Sequence, residues 1–199
     1  IECGKKKLSA EERSFFVAKL SQDMKWQWVA SPDPGCAANV AGCALTSTGA
    51  AVLAGTYEGG LTLGKHFVGD TPNSEVFAAT LTPTGKWRTA TQVEGLVLNN
   101  AQDICLDSDG ALHIAMTVNS AKSARNPNFR RESCIVKLSP TLKELKRVRL
   151  TAKDAQVVAL SPTTEGAVWV TGEYQGEFKI ADKSIYGRGG TDIFVLLIR

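Results

Sequence analysis

Residues 192–198 read DIFVLLI, an apolar run that stops at Arg199 with no polar turn behind it. The same pattern stands three times upstream, as SFFVAKL at 14–20, EVFAATL at 75–81 and ESCIVKL at 132–138. The last residues of the four, Leu20, Leu81, Leu138 and Ile198, are 61, 57 and 60 positions apart. Other segments keep the same period: NVAGCAL, NAQDICL and DAQVVAL begin at Asn39, Asn100 and Asp154, and a further family begins at Gly49, Gly110 and Gly166. A fourth, KWQWVA, KWRTATQV and LKELKRVRL, follows the first family after a short turn. Four registers sharing one period define an internal repeat of about 60 residues.

Each segment is short, rich in Val, Ile, Leu, Thr and aromatic residues, and bounded by Gly, Pro, Asn, Asp or Ser, the signature of strands joined by tight turns. TSTG, DSDG and TTEG place a glycine at one equivalent point between the second and third families, where positive φ costs it nothing. The first complete unit therefore holds strand a over 39–45, b over 50–58, c over 75–81 and d over 86–93. The chain divides into an N-terminal extension, 1–13, and a repeat domain, 14–199. Its units span about 39–93, 100–150 and 154–199, with 14–30 the end of a preceding unit. A four-stranded unit that cannot bury both faces alone, repeated in tandem, reads as a blade of an all-β, propeller-type array. The last unit stops after strand c. The strand at 25–30 is a candidate to complete it, and the array is expected to be either an arc of a larger propeller or a ring completed by a second chain. Ser9 and Glu12 form a capping box of the kind that starts a helix, but the three strand-like copies of the segment make 14–20 a strand and confine any helix to 9–13.

GTYEGGLTLG and GEYQGEFKIA, followed by EVFAATLTPTGKW and GGTDIFVLLI, resemble a bacterial β-propeller repeat running Gly, aromatic, Gly, then Asp-x-Phe-Val-Ala-Lys-Leu, Gly and Trp. The resemblance covers 14–199. It departs most in the second unit, where SAKSARNPNFRRESC replaces the glycine-rich b-to-c segment and Met116 and Val118 stand for Gly and Tyr. It implies a propeller of secreted, periplasmic or cell-surface proteins and brings no catalytic residues with it.

The apolar fraction of 43 % and charged fraction of 22 % are those of an ordinary globular chain rather than a disordered one. No stretch approaches the ~20 apolar residues needed to cross a bilayer. Of five cysteines, Cys43, Cys105 and Cys134 fall in apolar columns as small hydrophobes, whereas Cys3 and Cys36 lie outside the strands and are a candidate disulfide. No cysteine has zinc-site spacing, and no metal or cofactor is expected. His66 is placed in a loop and His113 inside strand b as a structural histidine. Asp107 and Asp109 of LDSDG read as a hairpin turn, because the further oxygen ligands of a calcium loop do not follow. Trp26 and Trp87 share one column and Tyr57 and Tyr174 another, which favours packing over sugar stacking.

Charge breaks the symmetry of the units. Between Lys122 and Lys153 ten basic residues face only Glu132 and Glu144, about +8 in a chain of net +3. Strand d accounts for Lys143, Lys146, Arg147 and Arg149 as solubilising edge charge. Lys122, Arg125, Arg130 and Arg131, in the loop before strand c, form a candidate docking surface for an acidic protein partner. Nucleic acid is disfavoured, since no binding motif accompanies the charge. The expected function is a non-catalytic scaffold or interaction module, a subunit or fragment of a larger assembly. A carbohydrate-binding or adhesive surface protein is the alternative, and an enzyme is third.

Overall fold

Every element in the described residues of the computed structural model is a strand, as the turn spacing and β-branched content dictate. The structure describes residues 2–3, 6–7, 13–94, 97–119, 131–152, 154–180 and 183–199. Two short hairpins come first: β1 (Glu2–Cys3) with β2 (Lys6–Lys7), and β3 (Val17–Leu20) with β4 (Trp26–Ala30). The first four-stranded sheet then runs in chain order through β5 (Ala37–Leu45), β6 (Ala51–Leu63), β7 (His66–Leu81) and β8 (Trp87–Val93). The second follows as β9 (Val97–Leu106), β10 (Leu112–Asn119), β11 (Arg131–Leu138) and β12 (Glu144–Leu150). The third sheet has β13 (Asp154–Pro162) and β14 (Val168–Gln175), then a separate hairpin of β15 (Glu177–Ile180) and β16 (Lys183–Tyr186), and closes with β17 (Asp192–Ile198) beside β14. All pairings within a sheet are antiparallel; one parallel bridge, Arg131 to Asp154, joins the second sheet to the third.

The sheets lie face on face, with β9 set against β5 on one side and β13 on the other. Three cores result. Phe15, Val17 and Trp28 pack on Leu53, Phe77 and Leu81 of the first sheet. The other face of that sheet, Val52, Ala54, Val76 and Ala78, meets Ile104, Ile114, Met116 and Val136 of the second. The far face of the second, Cys105, Ala115 and Ile135, meets Val157, Val170 and Phe194 of the third. Two indoles lock the β3–β4 hairpin in place: Trp28 donates through Nε1 to the Pro83 carbonyl at 2.8 Å and Trp87 to that of Ser31 at 3.2 Å.

Several expectations change. Strands b and c of the first unit do not stop at the glycines: β6 and β7 continue to a turn at Gly64–Lys65, so His66 opens a strand instead of lying in a loop. The ladder merely bulges before Gly59, with residues 72–74 of β7 opposite Glu58. The strand expected over 14–20 begins at Val17; of the helical segment allowed over 9–13, residues 9–12 lie outside the described residues and Arg13 forms a bend. Among the described residues β4 pairs with β3 and not with β17, so the strand at 25–30 does not complete the last unit. Ala38 and Ala155 face Tyr57 and Tyr174, which moves the third unit's first strand two positions from the register that motif matching gives. A two-residue slip preserves the face, so the inward and outward assignments survive it.

Hairpin turns recur with one chemistry. In each a-to-b and c-to-d turn the first residue accepts an N–H from three positions on and bonds backbone to backbone with the residue four on, as for Thr46, Thr82, Asp107, Ser139 and Thr163. Glycine fills the left-handed position at Gly49, Gly85, Gly110 and Gly166, but Met24 and Leu142 hold it with φ of 59° and 63°. Leu142 is buried in the second core, so its side chain offsets the strain, whereas Met24 is exposed. Met24→Gly is therefore expected to stabilise the fold by up to about 1 kcal/mol, read as a higher urea midpoint. Leu142→Gly is expected to destabilise it.

Candidate functional site

Asp107 opens the a-to-b turn of the second sheet, and its carboxylate is wholly buried there. One oxygen, Oδ1, accepts from the backbone N–H of Asp109 at 3.0 Å and of Ala111 at 2.9 Å. The other, Oδ2, accepts from His113 Nε2 at 2.9 Å and from Lys137 Nζ at 2.8 Å. Strand geometry brings these together: His113 of β10 and Lys137 of β11 are directly paired in register, so both side chains leave the same face beside the turn. Burial pushes Asp107 up, but its bonds from Lys137, His113 and Ala111 N–H outweigh that and hold the carboxyl at about 2. Burial lowers His113 below its ordinary value, with Asp107 opposing it. The imidazole is neutral at pH 7, and Nε2 carries the proton it donates.

A carboxylate has about four acceptor positions. All four are used, so Asp107 has none left for a substrate and His113 cannot act as a base through Nε2. The cluster is structural: it fixes a turn and two strands. His113 is thus the satisfied histidine that its strand position suggests, and LDSDG is the hairpin turn, with a buried ion pair that no motif announced. One signal was present in the sequence. His113 stands in a column with Val52 and Trp169, and Lys137 in one with Thr80 and Leu197, so two ionisable residues share otherwise uncharged columns beside one Asp.

The remaining candidates are distributed. Burial pushes the thiol of Cys105 up to about 12 and that of Cys134 to about 11, so neither is a thiolate at neutral pH. Cys43 departs from its apolar column and is exposed, because Ala44 takes the inward-facing position on the edge strand β5. Cys36 is buried, with Sγ 3.4 Å from the Asp33 carbonyl, while the side chain of its expected partner Cys3 lies outside the described residues. Lys122, Arg125 and Arg130 also lie outside them, and Arg131 enters β11 with only its backbone described. Tyr57 and Tyr174 are buried, Tyr57 edge-on to Phe77 and Tyr174 stacked on Phe178 at 4.8 Å. They are packing residues. Among the described residues no three His, Cys, Asp or Glu side chains converge, and no helix is long and apolar enough to cross a membrane.

The third sheet has a bare face. Ile193 and Val195 occupy the columns of Val76 and Ala78, which are fully covered by the second sheet, yet they are 81 % and 61 % exposed. Trp169 and Leu197, paired in register, extend the patch at 44 % and 40 %. No family model matches the chain, and no curated protein matches it either.

Proposed function

We propose that the chain is a non-catalytic scaffold module: an arc of propeller-type blades that assembles through the outer face of its third sheet. The observation that carries this reading is the exposure of Trp169, Ile193, Val195 and Leu197 in columns that the preceding sheets bury. A contiguous apolar face of this kind marks an interface. Its chemistry is that of the two sheet-to-sheet interfaces inside the chain, so the partner that fits is another apolar sheet face. A second copy of the chain offers one, meeting its twin across a two-fold axis. The polar residues support a structural role as well, because the buried ionic cluster found among the described residues saturates itself. The basic segment containing Lys122, Arg125, Arg130 and Arg131 adds, in the same proposal, a surface for an acidic protein. The resemblance to propeller repeats favours a secreted, periplasmic or cell-surface setting for such a module.

Light scattering tests the assembly. A stable interface buries roughly 1,200–2,000 Å², and the chain is expected to run as a dimer at tens of micromolar. The double variant Val195→Lys/Leu197→Lys should run as a monomer with an unchanged circular-dichroism spectrum, since both side chains are exposed. A wild-type chain that stays monomeric throughout that range ends the second-copy reading.

A further inference from the structure

The first sheet has the same turn, strand and strand positions that hold the ionic cluster in the second, but fills them differently. Thr46, Val52 and Thr80 stand where Asp107, His113 and Lys137 stand. In the second sheet those side chains converge and close the space beside the turn. In the first they are too short to meet, and a cleft of about 230 Å³ opens there, floored by Leu112 and Leu142 of the neighbouring sheet. Two features of the cleft ask for a ligand. Thr80, 6 % exposed, lines the cleft, and its Oγ1, buried from solvent, has no hydrogen-bond partner among the described residues. A buried hydroxyl left unpaired costs about 1–3 kcal/mol, which a ligand group in the cleft would recover once the Thr80 side chain turns about χ1 to present Oγ1 to it. Arg88 stands exposed on the same cleft, forms no ion pair among the described residues, and no lining residue is acidic. Thr46 and Thr48, by contrast, are already bonded to each other at 2.9 Å.

From these we infer that the cleft between the first and second sheets is a binding site for a small amphipathic carboxylate: an apolar ring or branched body on Leu112 and Leu142, its carboxylate on Arg88, and a hydroxyl at the other end on Thr80. Size agrees, because a cavity of about 150 Å³ already admits benzene, and the carboxylate matches the two-pronged donor geometry of arginine. The cleft is distinct from the bare face of the third sheet, so this site stands whether or not that face pairs with a second copy.

The test uses the full chain and three probes, 4-hydroxybenzoate, benzoate and benzyl alcohol, followed by amide chemical shifts at 46–50 and 110–112. Both carboxylates are expected to give saturable shifts at these amides at millimolar concentration, and benzyl alcohol to bind at least about tenfold more weakly. Arg88→Leu should remove that preference. Thr80→Val should weaken 4-hydroxybenzoate more than benzoate. The triple variant Thr46→Asp/Val52→His/Thr80→Lys imports the second sheet's cluster, and in a folded chain it should abolish binding of all three. No saturable shift with either carboxylate, or equal carboxylate affinity in Arg88→Leu, overturns the assignment.

Discussion

Gly55→Ala should cost the fold about 3 kcal/mol or more, enough to unfold a domain of ordinary stability at moderate temperature. A Cβ at Gly55 would lie 1.9 Å from the carbonyl oxygen of Asn39 and 2.9 Å from the Phe77 ring. The first of these contacts is backbone, so no rotamer change relieves it; β5 and β6 must part, and the first sheet loses its inner ladder. Gly172→Ala is expected to behave alike, since its Cβ would sit 2.2 Å from the Gln156 carbonyl oxygen and 2.4 Å from the Phe194 ring. Gly60 supplies the control, with no atom within 4 Å of its Cβ and ordinary φ, so Gly60→Ala should stay within about 0.5 kcal/mol of wild type. Urea unfolding of the three variants decides it. A Gly55→Ala midpoint close to wild type would mean that the phenyl ring and the neighbouring strand do not close on this glycine.

The same pair explains the second unit's departure from the glycine–phenylalanine pattern. Gly55 faces Phe77 and Gly172 faces Phe194, but the corresponding partners on β10 and β11 are Met116 and Cys134, both buried. A flexible long side chain on one strand and a small one on the next replace nothing facing a ring. Sequence columns therefore showed which positions are inward, because period-2 patterning survives an exchange of volume between neighbours. They could not show register where the pattern tolerates a two-residue slip, as at Asp154, nor that Gly59 and Gly60 continue a strand. The ionic cluster is hidden in the sequence for a different reason. Asp107 and Lys137 are 30 positions apart and meet only once β9, β10 and β11 pair, and each residue alone suits a turn or an outer strand. The cleft beside Thr80 and the bare face at Ile193 belong to gaps between sheets, and no single segment encodes a gap.

Removing the carboxylate at the centre of that cluster, Asp107→Ala, is expected to destabilise the fold by about 3–5 kcal/mol. It strands His113 Nε2 and two backbone N–H groups in a buried site and takes the partner from the Lys137 ammonium, whose side chain is 28 % exposed. Asp107→Asn keeps the shape and part of the hydrogen bonding, so its loss should be smaller. The pH dependence separates the ionic contribution from the packing. His113 titrates lower in the folded chain than in the unfolded one, so the unfolded state takes up its proton first, and stability falls as pH drops through about 6.5. Asp107 is depressed from 3.8 to about 2, so its contribution is complete above the unfolded value and is lost as pH falls from there towards 2. At about 1.4 kcal/mol per pKa unit that second loss is roughly 2 kcal/mol. Wild type and Asp107→Asn should thus differ most between about pH 4 and 6, where the variant's His113 also lacks the carboxylate that favours its proton, and converge near pH 2 in their urea midpoints. A difference that stays constant across the range would assign Asp107 to turn geometry alone, with Lys137 and His113 contributing nothing through charge.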